Sequence, residues 1–225
     1  MKRLAVTLAL LALAGCHAPG ARPPAADRPA KGLVALPCAG SGALAPANTG
    51  YCRLQRNYVA AKGLAVLQDA TTAMQAKFPG ARVLYLEASW PLGKRPMPPH
   101  LSHGDGREVD LAFYYVDRAG KPLAKPPRSW GYEAFEPPRR EAERACAGGR
   151  RGKNDRPDPP RDRAWRLDEA RTAALVKVLA ADPRVRRIFI EPHLKTRLGL
   201  TTYGKVRFAG CQAARHDDHI HVDFF

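Results

Sequence analysis

Two short runs of histidine and aspartate constrain this 225-residue chain more than any other feature. Of its seven histidines, five of the six beyond His17 fall into two clusters. The first is His100-Leu-Ser-His103-Gly-Asp-Gly-Arg-Glu-Val-Asp110, and the second is His216-Asp-Asp-His219-Ile-His221. Groups of this kind are costly to bury unless they are bonded to something, so the clusters need a common use. A metal supplies one. Catalytic zinc takes three protein ligands, His nitrogens and carboxylate oxygens, and leaves a fourth position for water. His219 and His221 stand two apart on an expected β-strand, which points both imidazoles to one face. Gly104 and Gly106 allow a tight turn behind His103, after which the chain enters the strand that carries Asp110. His103 and Asp110 can therefore converge from a loop and a strand start.

The N-terminus sets the compartment. Met1-Lys2-Arg3 puts two positive charges before an apolar run over 4–14, too short for a permanent membrane span and basic on the correct flank for a secretion signal. The run closes on Leu13-Ala14-Gly15-Cys16, which resembles the bacterial lipobox, where the chain is cut before the Cys and the new N-terminus is lipidated. The resemblance implies a signal peptide over 1–15 and a membrane anchor on Cys16. Ala18, where sorted inner-membrane lipoproteins carry Asp, implies the periplasmic side of the outer membrane. Residues 16–30 are rich in Ala, Pro and Arg and bury too little to offset their ordering entropy, so they are expected as a tether. Residues 31–225 remain for one domain with a proper core.

Cysteine usage agrees with export. Without Cys16 there remain Cys38, Cys52, Cys146 and Cys211, an even number with no paired CxxC that would suggest a zinc knuckle. Four cysteines allow three pairings, and the sequence does not choose among them. The pairing taken as the expectation is Cys38 with Cys52 and Cys146 with Cys211.

A net charge of +16 and a pI near 10.1 ask for a polyanionic neighbour. Nucleic acid is the usual one. Export argues against it, and so does the concentration of charge in one stretch. Residues 121–166 hold thirteen Lys or Arg against seven Asp or Glu, with eight prolines. That composition describes a long irregular insertion, either a solvated loop or a basic arm on anionic envelope polymers.

Elsewhere the pattern is regular. Ala60, Leu64, Leu67, Thr71, Met74 and Phe78 recur at intervals of three and four, predicting a helix over 57–78 that ends at Pro79-Gly80. Strands are expected over 82–86, 109–116, 185–190 and 220–225, and a helix over 168–181 with Asp168 as N-cap. Helices and strands do not alternate, which predicts an α+β fold with a largely antiparallel central sheet and flanking helices.

His-x6-Asp followed near the C-terminus by His-x-His resembles the zinc metallopeptidase superfamily that unites lysostaphin-type endopeptidases, D-Ala-D-Ala peptidases and penicillin-insensitive murein endopeptidases. Residues 100–110 and 216–222 are most similar to the last group, over a stretch from about 51 to 225. The resemblance implies Zn²⁺ held by His103, Asp110 and His221, His219 as base or oxyanion partner, and His216 as a further active-site histidine. Asp218, three residues before His221, is the rival base on the D-Ala-D-Ala peptidase pattern. Residues 120–165 show no counterpart of that family's additional Asp and His ligands, which leaves His100 as the candidate for a further metal contact. The implied substrate is the peptide crosslink of peptidoglycan. A D,D-carboxypeptidase of the same fold and a non-catalytic wall-binding lipoprotein are the alternatives.

Overall fold

The structure is a computed structural model that describes residues 29–98, 100, 102–146, 158–160 and 162–225. The expected signal peptide, the Cys16 anchor and nearly all of the tether lie outside the described residues, as do residues 147–157 of the insertion.

In chain order the elements are β1 (Leu33–Ala35), β2 (Leu44–Pro46), α1 (Gly50–Arg53), β3 (Tyr58–Ala60), α2 (Ala61–Lys77), β4 (Val83–Tyr85), β5 (Glu108–Ala112), β6 (Tyr115–Asp117), β7 (Trp165–Leu167), α3 (Glu169–Ala181), β8 (Val185–Phe189), α4 (Pro192–Arg197), β9 (Val206–Arg207) and β10 (His219–Phe224). Six strands form one sheet in the order β2-β4-β5-β10-β8-β9. Its central pairings, β4 with β5, β5 with β10 and β10 with β8, are antiparallel, while the outer pairs β2–β4 and β8–β9 are parallel. The α+β class expected from the sequence is the class observed.

The alternation of β10 explains the layering. In His-Ile-His-Val-Asp-Phe the even and odd residues face opposite sides. Ile220, Val222 and Phe224 join Val109 and Leu111 of β5 in the core. Val66, Leu67, Ala70 and Met74 of α2 and Leu175 and Leu179 of α3 belong to the same core. The helices therefore cover one face of the sheet. His219, His221 and Asp223 point to the other face with Asp110 and Glu108. There, buried carboxylates are met by arginines: Glu108 by Arg95, and Asp223 by Arg186 and Arg187.

The helix expected from residue 57 begins at Ala61 instead. Tyr58 and Val59, residues that suit a pleated surface, pair with β1 as β3 before the chain turns into α2. The strand expected over 109–116 is broken into β5 and β6, and Tyr115 to Asp117 pair with β7 away from the main sheet. Asp168 caps α3 as expected, its side chain accepting from the Arg171 N–H.

The described part of the 121–166 stretch has few regular elements, and Ala134, Phe135 and Glu136 within it are buried. Glu136 ties it to α4 through Arg197, and pairs within the insertion with Arg163.

Two disulfides are formed, Cys38–Cys52 and Cys146–Cys211. The second joins the insertion to the segment before His216 and closes a sequence separation of 65 residues, against 14 for the first. By the chain-entropy account, a loop of that length is stabilised by about 4 kcal/mol. The Cys146→Ser, Cys211→Ser double variant should lose stability on that scale in denaturant unfolding. An unfolding midpoint equal to that of the wild type would contradict this.

Candidate metal centre

The register of the two central strands builds the site. Asp110 of β5 lies directly opposite His221 of β10, both on the face away from the helices. Directly opposed residues bring their Cβ atoms within about 5 Å of one another. His103 arrives from the preceding loop. Gly104 and Gly106 there have φ of 134° and 85°, and a Cβ on either would lie 2.1 Å from the Lys94 carbonyl oxygen or 2.2 Å from Leu33 Cδ2. Ser89 Oγ accepts both of their backbone N–H groups, at 3.2 and 2.8 Å. His103 Nδ1 donates to the Ala88 carbonyl at 2.7 Å, which turns Nε2 toward the strands.

Three donor atoms converge as a result. His103 Nε2 lies 3.3 Å from His221 Nδ1 and 3.4 Å from Asp110 Oδ1, and His221 Nδ1 lies 2.9 Å from the same Asp110 oxygen. A tetrahedral ion with bonds of about 2.0–2.1 Å separates its donors by about 3.3–3.4 Å. The triangle fits such an ion with a small adjustment of one edge. All three residues are buried.

A second group shares two of these residues. His100, His103 and Asp110 bring ligand atoms within 4.8 Å of one another and could hold a metal ion. That spacing is wider, and His100 already has a partner. Its Nε2 bonds Glu87, which also pairs with Arg56. Burial pushes the Glu87 carboxyl upward, but His100 and Arg56 outweigh it and hold it below the ordinary range. The tighter triangle, with His221, is the better-formed site.

Around it stand the remaining histidines. His219 Nε2 is 3.7 Å from Asp110 Oδ1, and its Nδ1 bonds Asp218. The other Asp218 oxygen accepts the Glu133 backbone N–H. The two rival bases named from the sequence are therefore one bonded pair, with the carboxylate behind the imidazole. Burial favours the neutral form of His219, yet Asp110 and Asp218 raise it to about 9. Burial likewise works against the Asp110 anion, but His103 and His219 hold its carboxyl well below the usual range. The His216 ring packs 4.9 Å from that of His219 and 5.6 Å from that of His221, measured between centroids.

Tyr132 is the site residue that sequence reading missed. Its hydroxyl donates to Asp110 Oδ2 at 2.6 Å, and its ring stands edge-on to His219. It lies in the Pro- and Arg-rich insertion, where composition suggested a solvated loop and no spacing linked it to either cluster. His193, by contrast, is not brought to the site: its Nε2 donates to the Glu136 carbonyl at 2.7 Å. Of the three tryptophans, Trp165 packs on Tyr115 and Trp130 stands partly exposed against Tyr51.

Compared with known proteins, the chain matches no family model and no curated sequence.

His193 carries a pH dependence of its own. Burial lowers its imidazole below the ordinary 6.5, with the Glu136 carbonyl opposing the shift. Below 6.5 the unfolded chain then binds the proton more readily than the folded one, so the stability His193 contributes is present above that pH and lost as pH falls. Unfolding midpoints at about pH 5 and about pH 7.5 should differ less in His193→Gln than in the wild type, since the substitution removes this one titration and leaves the other groups in place. Equal differences would contradict this.

Proposed function

We propose that this chain is an exported zinc peptidase that hydrolyses the peptide crosslinks of peptidoglycan. The observation that carries the reading is the donor triangle of His103, Asp110 and His221 with the Asp218–His219 pair beside it. Two imidazoles and one carboxylate suit zinc among the divalent metals, and three ligands leave a position open for chemistry. Bound there, zinc would polarise the scissile carbonyl and make water acidic enough to attack near neutral pH.

The chain's own groups supply the rest. Asp110 is one of the two carboxylates that raise His219, and with its charge taken up by a divalent cation the imidazole would begin the reaction unprotonated. His219 then takes a proton from the attacking water as the carbon–oxygen bond forms. It returns that proton to the leaving nitrogen as the carbon–nitrogen bond breaks. Asp218, hydrogen-bonded to Nδ1, fixes which ring nitrogen faces the reaction and steadies the charged imidazolium.

The wall substrate rests on the resemblance of residues 100–110 and 216–222 to penicillin-insensitive murein endopeptidases. Export and lipid anchoring rest on the 1–16 pattern, and placement at the outer membrane on Ala18. No helix among the described residues is long and apolar enough to cross a membrane, so Cys16 would be the anchor in this reading.

Purified without added metal, the protein should contain about one zinc per chain, and His103→Ala and His221→Ala should lose most of it. His219→Ala should keep the zinc and lose turnover by a factor on the order of 10² or more. Digestion of purified peptidoglycan should convert crosslinked dimers to monomers. Release of terminal D-Ala alone would identify a carboxypeptidase instead, and zinc retained in full by both ligand variants would overturn the metal assignment.

A further inference from the structure

We infer that Tyr132 is a positioning residue that makes Asp110 a one-oxygen metal ligand and so keeps a coordination position open. This rests on the metal-centre reading above and extends it to a residue outside both histidine clusters.

A carboxylate beside a cation can bind through one oxygen or chelate through both. At Asp110 the two oxygens have different partners. Oδ1 faces the imidazoles of His221, His103 and His219 at 2.9, 3.4 and 3.7 Å. Oδ2 accepts the Tyr132 hydroxyl at 2.6 Å. A phenol is a neutral donor at neutral pH, so the bond engages Oδ2 and competes with chelation through that oxygen without adding charge to the site. Chelation would fill a further coordination position, one that water and substrate carbonyl must share in a catalytic site.

The tyrosine is itself held. Its ring meets His219 edge-on, with centroids 5.0 Å apart and planes at 81°. The next residue, Glu133, donates its backbone N–H to Asp218, the partner of His219. Two consecutive residues thus hold the ligand carboxylate and the carboxylate behind the base. The strap that carries them is fastened on both sides. Asn48 Nδ2 donates to the Ser129 carbonyl at 2.9 Å, Tyr115 donates its hydroxyl to the Ala134 carbonyl at 3.0 Å, and the Glu136 N–H donates to the Asp217 carbonyl at 2.7 Å. A segment with that many ties to fixed elements can set a carboxylate's angle.

Tyr132→Phe removes the hydroxyl and keeps the ring, and Tyr115→Phe removes a different hydroxyl that fastens the same strap. Zinc affinity is read by competition with a chelator, and the cobalt-substituted protein by its visible absorption, which weakens as coordination number rises. Tyr132→Phe should bind zinc about 10- to 100-fold more weakly, the usual scale for groups that orient a ligand, and its cobalt bands should weaken. Tyr115→Phe should leave both readings at wild-type values. Wild-type zinc affinity and cobalt bands in Tyr132→Phe would overturn the inference while leaving the metal centre standing. An equal loss in Tyr115→Phe would also overturn it, by assigning the effect to strap packing. A wild-type protein that binds neither metal would overturn the metal centre and this inference together.

Discussion

Asp110 lies opposite His221 across the two central strands, and a slip of one residue in that register would turn one of the two into the helix-covered core. The register is held from the opposite face. Val109 and Leu111 of β5 interleave with Ile220 and Val222 of β10 beneath α2 and α3, and every one of these side chains is fully buried. Apolar burial on one side of the sheet therefore determines where the polar groups stand on the other. The core supplies the free energy, and the site takes its geometry from the core.

What this face collects is electrostatically expensive: Asp110, Asp218, Asp217 and the four histidines His103, His216, His219 and His221, all buried. Such a set persists only if each group has a partner. Asp110 divides its oxygens between imidazoles and Tyr132, and Asp218 between His219 and the Glu133 N–H. Arg215 forks onto Asp217 and reaches Asp158. The Cys146–Cys211 bridge then holds the insertion against the segment leading to His216. Residues far apart in sequence thus close the site from the side that the helices leave open.

Much of this was legible in the sequence. The helical spacing over 57–78 and the run over 220–225 predicted α2 and β10 to within a few residues, because each pattern has one physical solution beside a core. The clusters marked His103, Asp110, His219 and His221, because their residue types and spacings suit one ion. Tyr132 was illegible for a physical reason: its role depends on a strap folded across the sheet, and a single hydroxyl leaves no periodic trace. The split of 109–116 was likewise hidden, since β-formers fit both β5 and β6 and only tertiary pairing with β7 parts them. The relation of Asp218 to His219 was open for a similar cause. Adjacent residues on a strand edge can face apart or bond, and the Glu133 N–H helps decide it.

Locating the metal by anomalous X-ray scattering from zinc-loaded crystals tests the account most directly. The account predicts one strong zinc peak about 2.0–2.2 Å from His103 Nε2, His221 Nδ1 and a single Asp110 oxygen, with His219 nearby and unbonded. A peak bonded by His100 in place of His221, or no peak between the two central strands and the 103 loop, would contradict it.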